Sequence, residues 1–405
     1  MRRPLRRDGR VVAAVAVVLF FTVLLAFRAI TGSTPWAHVG VRPGDLSFAD
    51  LRSVTSAWDC ARHGISAFPQ NPCDPFGRPA NYPRLWIWFW HAGLGGGDTV
   101  PLGVAIGVLF YLAALAVAGP LTLGGGVVYA VALLAPATLL GVERGNVDLL
   151  MFVLIVVGVL LVRRSPWLAA VPITAAGVLK LFPAPAVILL ARERRRWAAG
   201  AGAVLVLLVY AVGTLHDIRT LRSVIPRVVP NSYGAGVIPI ALHEAHVSWA
   251  ESAAAVRYLR LGLIAIGLLV ALALWVVREA PGAVSDLQLD AFWAGSSVYA
   301  VSWIFGNNFD YRLAFLVLCV PQLWAWTRER NGPVPGAPLA LGALLVTLWL
   351  SSLLPPLPFG LQTWYEHIRV PPEEVLNLLL FGWLVAATAA TAPALAFRRL
   401  AWKHA

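Results

Sequence analysis

The sequence predicts an all-α protein threaded through a lipid bilayer, a polytopic transmembrane helical bundle of about ten to twelve segments. Three observations carry that expectation. Apolar runs of about 17–22 residues recur along the whole chain, each long enough to cross a hydrocarbon core of about 30 Å as a helix. Of the 405 residues, 59% are hydrophobic and only 13% are charged. A soluble domain has roughly a quarter of its residues charged, so these charges cannot cover a water-facing surface of this size. Finally, the runs are continuous blocks of Leu, Val and Ala, without the alternation that strands of a transmembrane barrel require.

The first run, 11–30, follows the basic head MRRPLRRDGR. Its length, the lack of a small-residue cleavage site and the many spans that follow make it a retained helix rather than a signal peptide. With the basic head inside, 11–30 crosses outward and 31–100 forms a first extracytoplasmic loop with interfacial helices. Within that loop LWIWFWHAGLGGG (85–97) is too short to span comfortably, and its three Trp suit an interfacial or re-entrant segment. Residues 101–118 return inward and 123–140 go out. GVERGN makes an outer turn before 147–162, which ends inside at Arg163 and Arg164.

Residues 166–190 lie between two basic clusters, Arg163–Arg164 and ARERRR. One full crossing would leave a cluster outside. Two half-helices meeting near Lys180-Leu181-Phe182-Pro183 keep both inside, and the prolines fit such a broken hairpin, which is tolerated where it lines a cavity. Residues 198–215 then cross outward and 216–258 form a second extracytoplasmic loop. Spans follow near 259–277, 286–305, 311–327, 338–354 and 374–396, with basic ends inside at Arg278, at Arg328 and Arg330, and at Arg398, Arg399 and Lys403. Both termini come out cytoplasmic, and 1–405 reads as a single membrane domain without a visible internal repeat.

The net charge of +12 would suit nucleic acid, but the arginines cluster in short runs beside apolar segments, which is how orientation is encoded in a membrane. No nucleic-acid partner is expected. Cys60 and Cys73 share one polar loop; if that loop lies outside, a disulfide between them is plausible.

On this threading most acids fall outside, and Arg84, Arg144 and Arg312 join them beside span ends against the positive-inside trend, the signature of a site rather than of topology. Asp217, Glu244, Glu251, Glu373 and Glu374 read as solvated loop charges. Four segments stand apart. In SFADLRSVTSAWDCARHG, followed by NYPRLW, Asp50 is either a general base for a hydroxyl or a helix N-cap. In GVERGNVDLL, the groups Glu143, Arg144, Asn146 and Asp148 either bind an anion or a neighbouring loop, or cap a helix. In LKLFPA, Lys180 sits in a long apolar stretch, where it either snorkels to the interface or meets a phosphate. In GNNFDYRL, the groups Asn307, Asn308, Asp310, Tyr311 and Arg312 suit sugar hydroxyls and phosphate, or an internal ion pair. There is no P-loop, dinucleotide fingerprint, HExxH or Cys/His cluster, so neither a metal nor a cofactor is expected. An activated substrate has to arrive in the membrane.

Taken together, the four segments resemble the membrane glycosyltransferases of the GT-C class, and most closely glycosyltransferase family 87, the polyprenol-phosphate-mannose-dependent type. The resemblance runs through an acid in the first outer loop, Tyr82-Pro83 before the next helical segment, the RGNVD start of a span, the K-x-F-P break and the NNFDYR start of a later span. It implies an inverting transfer of a sugar, mannose or a similar hexose or pentose, from a polyprenyl-phosphate donor to a glycan or glycolipid acceptor on the extracytoplasmic side. Asp50 matches the family's base, with Asp45 as the alternative. Lys180, Arg144, Arg312 and Arg84 would hold the leaving phosphate, and Tyr82, Asn146, Asp148, Asn308, Asp310 and Tyr311 would position sugar or acceptor. Arg84 stands where a second proline is often found after Tyr-Pro. The competing readings are a transporter or flippase for a lipid-linked or polar solute, which also uses broken helices, and an inactive scaffold of a glycan-assembly complex.

Overall fold

A computed structural model describes residues 8–225, 229, 231–244, 247, 252–279, 285–329, 332–350 and 359–392, with the main chain alone for 359–369. The basic head before Asp8, Glu251, Arg330, the ends of the spans expected at 338–354 and 374–396, and Arg398, Arg399 and Lys403 lie outside the described residues.

The chain runs α1 (Gly9–Thr31), α2 (Ala49–Arg62), α3 (Thr99–Val117), α4 (Leu123–Leu133), α5 (Pro136–Arg144), α6 (Asp148–Leu161), α7 (Pro166–Leu179), α8 (Trp197–Gly213), α9 (Leu215–Val224), α10 (Val237–Glu244), α11 (Ala253–Val276), α12 (Asp286–Phe305), α13 (Val320–Glu329), α14 (Ala337–Leu350) and α15 (Phe359–Ala390). Stretches of 3-10 helix cover Arg84–Ala92, Ala184–Ala191 and Asp310–Cys319. Two short strands, β1 (Ser232–Tyr233) and β2 (Asn308–Phe309), pair antiparallel with Tyr233 opposite Asn308. Four of the helices begin where the sequence supplies a side-chain acceptor for an unpaired amide. Asp8 accepts from Arg10 N (3.0 Å) at α1, Thr122 from Gly125 N (3.1 Å) at α4, Ser165 from Leu168 N (3.3 Å) at α7 and Ser252 from Ala255 N (3.1 Å) at α11.

Five helical stretches among the described residues are long and apolar enough to cross a membrane: Gly9–Thr31, Gly96–Val117, Arg194–Gly213, Ala253–Val276 and Val370–Ala390. Leu123–Leu133 and Pro136–Arg144 qualify together as a broken sixth, and α6, α7 and α14 are shorter apolar helices. Along Ala253–Val276 only 11% of the apolar window is buried inside the protein. Each exposed leucine there would forfeit about 25 cal/mol per Å² against water, so the surface calls for a lipid solvent. This is the composition of a multi-pass membrane protein.

The described residues form two compact units. One comprises residues up to 41, 115–138 and 228 onward; the other comprises 42–114 and 139–227. In the first, α1 lies on α4, α11 on α15, and α12 against both α15 and the 310–319 stretch. Residues 313–320 are almost wholly buried, so the span expected at 311–327 is a core element, wound as 3-10 helix before α13 begins. Gly267 lets Phe381 approach α11, and Trp303 stacks on Phe381 at 4.5 Å. The sequence placed Glu373 and Glu374 in solvated loop. The structure corrects this: α15 starts at Phe359, passes through Pro371 and Pro372, and carries both carboxylates into the interior. Glu374 accepts from Gly234 N (3.1 Å) and from Asn377 Nδ2 (3.1 Å). Tyr299 in turn donates to Asn377 Oδ1 (3.0 Å).

In the second unit α6 and α7 pack side by side, α8 and the 184–191 stretch cover α7, and α2 lies on the 84–92 stretch. Close approach of α6 to α7 depends on Gly158, where an added Cβ would stand 2.5 Å from Ile173.

At the crossing of α1 and α4, an added Cβ on Gly126 would lie 2.0 Å from the Gly9 carbonyl oxygen. Gly126→Ala is therefore expected to destabilise the detergent-solubilised protein by about 1–3 kcal/mol. Gly262→Ala, which meets nothing within 4 Å, is expected to leave the melting temperature unchanged or slightly raised. Thermal unfolding of the two variants side by side checks this.

Candidate functional site

The second unit gathers most of the sequence-marked polar groups, and it does so around the start of α2. The residue before that helix, Phe48, has φ 57°, a left-handed conformation uncommon outside glycine and an outlier for an aromatic residue. Its side chain packs onto Gly103 and Gly145, where added Cβ atoms would stand 2.5 Å from its ring and 2.9 Å from its Cβ, and its amide donates to Glu143 O (3.3 Å). This turn sets Asp50 in the first turn of α2, with Phe48 rather than Asp50 at the N-cap. The carboxylate is not consumed by capping. It remains 19% exposed.

A strap formed by residues 71–78 lies along the same helix. Cys60 and Cys73 form a disulfide that closes it onto α2. Asn71 Nδ2 donates to Ser53 O (2.9 Å) and Arg78 Nη2 to Ala49 O (2.7 Å), two carbonyls one helical turn apart. Arg78 also reaches both oxygens of the buried Asp74, through Nε (3.2 Å) and Nη2 (3.0 Å).

Asn146 joins Asp50 to the next helix. Its Nδ2 donates to Asp50 Oδ2 (2.7 Å) and its Oδ1 accepts from Asp148 N (2.9 Å). Asp148, 1% exposed, forms an ion pair with Lys180. Lys180 is the residue at which α7 ends, in extended backbone, and its ammonium lies 4.8 Å from the Tyr82 ring centroid, within cation–π range. Tyr82 packs edge-on to Trp86 (6.1 Å), whose indole donates to Leu179 O (2.9 Å) and so ties the 84–92 stretch to the end of α7. The sequence-marked Asp50, Asn146, Asp148, Lys180 and Tyr82 are thus linked through direct contacts within one unit.

The other candidates of this unit have different duties. Glu143 accepts from Gly44 N (2.8 Å) and pairs with Arg144 (3.1 Å). Arg84 pairs with Asp217 (3.0 Å) and lies over the Phe68 ring at 4.3 Å. Asp217, expected to be a solvated loop charge, is 21% exposed and holds α9 to the 84–92 stretch. Asp45, the alternative base, is exposed.

Asn308, Asp310, Tyr311 and Arg312 belong to the first unit. Arg312 Nη1 donates to Asn308 Oδ1 (2.5 Å), Asn308 Nδ2 donates to Ser302 O (2.6 Å), and the Asp310 amide donates to Asn231 O (3.0 Å). Tyr311 stacks on Phe309 at 5.5 Å, and Asp310 is fully buried. Arg312 and Asn308 therefore form an internal polar pair.

Sequence reasoning missed Arg78, Asp74 and Asn71. Their segment, NPCDPFGRPA, has the composition of an ordinary turn-rich loop, and Cys73 was the only signal that it is tied to α2. Among the described residues, no group of three or more His, Cys, Asp or Glu side chains is arranged to hold a metal ion. No protein-family model, curated protein or solved structure matches this chain.

The site can do two things chemically. A mostly buried carboxylate hydrogen-bonded through one oxygen leaves the other able to accept a proton, and a lysine with aromatic and acidic neighbours supplies a positive charge. Removing one partner of a buried ion pair strands the other. Asp148→Asn is expected to lower stability by about 3–5 kcal/mol, and the double change Asp148→Leu with Lys180→Met to recover most of it. Denaturant melts of the wild type and these two variants in detergent check this.

Proposed function

We propose that the chain is an integral membrane glycosyltransferase of GT-C type that moves a sugar from a polyprenyl-phosphate donor to a hydroxyl of a glycan or glycolipid acceptor. The observation that carries the reading is the contact of Asn146 with Asp50: the expected base is oriented through Oδ2, while Oδ1 is left open toward an acceptor proton. The all-helical build with long apolar helices supports a donor that arrives from the bilayer rather than from water.

In this reading Asp50 removes the proton as the acceptor oxygen attacks the anomeric carbon, and the lipid phosphate leaves from the opposite face, so the anomeric configuration inverts. Negative charge grows on the departing phosphate. Fixed cations aimed at it stabilise the transition state more than the ground state. Lys180 is the leading candidate. Arg144 and Arg84 hold carboxylates just as Lys180 holds Asp148, and each serves only if the donor phosphate shares or displaces that partner. The site faces the extracytoplasmic side and both termini are cytoplasmic, following the distribution of arginines.

The test is sugar transfer by the purified protein in lipid, with a radiolabelled polyprenyl-phosphate mannose as first donor and a mixed lipid and glycan extract as acceptor. Asp50→Asn is expected to cut the rate by about 10²–10⁴-fold, the usual contribution of a general base, with an unchanged melting temperature. Transfer that survives this change moves the base to Asp45 or another carboxylate. If no polyprenyl-phosphate sugar supports transfer by the wild type, the transferase reading fails and the flippase takes its place.

A further inference from the structure

The open oxygen of Asp50 faces a charge that no motif marked. Arg78 Nη1 stands 3.6 Å from Asp50 Oδ1, too far for a hydrogen bond but within ion-pair reach of it. We infer that Arg78 is the positioning residue of the Asp50 carboxylate, a role that rests on the transferase reading of this site. It aims the base without occupying the lone pair that takes the proton.

Arg78 can act at this separation because its own place is fixed. Asp74 grips Nε and Nη2 in a two-point fork, and Nη2 also holds Ala49 O, the carbonyl of the residue next to Asp50. Such forks fix the plane of a guanidinium as well as its position. Asp74 is itself locked, accepting from Phe76 N (2.8 Å), and its side chain is fully buried. The disulfide and Asn71 fasten the rest of the strap to α2. Asp74 has a second effect. Released from it, the guanidinium would close on Asp50, form a direct pair and weaken it as a base. Held back, it leaves Asp50 Oδ1 without a direct hydrogen bond from the guanidinium. Among the described residues, other charged groups near the start of α2 include Glu143 and Arg144, paired with each other, the Asp148–Lys180 pair, Arg52, which donates to Ser47 O (2.9 Å), and Arg42 and Asp45 in the preceding loop.

The experiment uses the full chain in lipid with four changes: Arg78→Met, Arg78→Lys, Asp74→Asn and Asp50→Asn. Two readings are taken: the pH profile of transfer, and an infrared titration of the carboxyl band that disappears in Asp50→Asn. Removing the cation favours the neutral acid, so Arg78→Met is expected to move both the acid limb and the infrared midpoint upward by about one pH unit, with kcat falling more than KM rises. Arg78→Lys keeps the charge but loses the fork, and is expected to hold the midpoint within about 0.3 unit. Asp74→Asn frees the guanidinium toward Asp50 and is expected to shift both readings the opposite way. An infrared midpoint that is the same in the wild type, Arg78→Met and Asp74→Asn overturns the inference, whatever the variants do to yield or melting temperature. Absence of transfer by the wild type overturns the transferase reading instead, and the infrared arm still decides the role of Arg78.

Discussion

One amide side chain joins the two chemical halves of the second unit. Asn146 gives its NH2 group to Asp50 and takes the Asp148 amide on its carbonyl oxygen, so the carboxylate on α2 and the ion pair at the end of the α6–α7 hairpin share one rigid connector. An amide suits this position because it is donor and acceptor at once and carries no charge. A carboxylate in its place would repel Asp50, and an apolar residue would leave the Asp148 amide and one Asp50 oxygen without that partner. Asn146 itself is fully buried, and its bond from the Asp148 amide forms away from solvent, where such a bond is strong when made and costly when lost. The left-handed turn at Phe48 is explained by the same demand. It lets the chain enter α2 with Asp50 in the first turn facing Asn146, at the expense of a conformation that Gly103 and Gly145 make room to accommodate.

A low-dielectric solvent around the long apolar helices governs how the polar groups are arranged. Charge within such a protein has to be matched by charge or by a dense set of hydrogen bonds. Asp148 with Lys180, Glu143 with Arg144, and Asp74 with Arg78 follow the first rule. Glu374, accepting from a backbone amide and from Asn377, follows the second. Asp50 differs from all of these. It has one short hydrogen bond and one distant cation, and it keeps partial contact with solvent. A carboxylate left under-satisfied among well-matched ones is what a proton acceptor needs.

The sequence made the helical, apolar character legible because blocks of Leu, Val and Ala of that length have few other uses. It also exposed Lys180, since a lone lysine in a proline-broken apolar stretch violates the composition around it, and the chain does break there, with α7 ending at that residue. Other features left no local trace. Arg78 and Asp74 lie in a loop whose meaning comes from a disulfide and two carbonyls of a helix more than a dozen residues away. Glu373 and Glu374 follow two prolines and look like loop, yet the helix runs on through them, and their burial is decided by partners near Gly234 that are distant in sequence. The span expected at 311–327 shows the same limit. Its apolarity was visible, but apolarity alone does not distinguish a lipid-facing helix from the fully buried 3-10 stretch found there.

Helix dipoles explain why the Asp148–Lys180 pair forms at its particular place. α6 and α7 are packed neighbours joined by only a few residues, so they run antiparallel and the start of α6 lies beside the end of α7. The first turn of a helix carries about half a positive charge and the last turn about half a negative one. Asp148 occupies the first position of α6 and Lys180 the position just past the last turn of α7, so each charge sits at the dipole end that favours it, and the two ends bring the opposite charges together. The pair is then held by three attractions rather than one. In the proposed transferase, a cation fixed in this way by the backbone would keep its position while the leaving phosphate gathers charge. It therefore need not reorganise during the reaction, which is the condition under which a fixed charge lowers a barrier most.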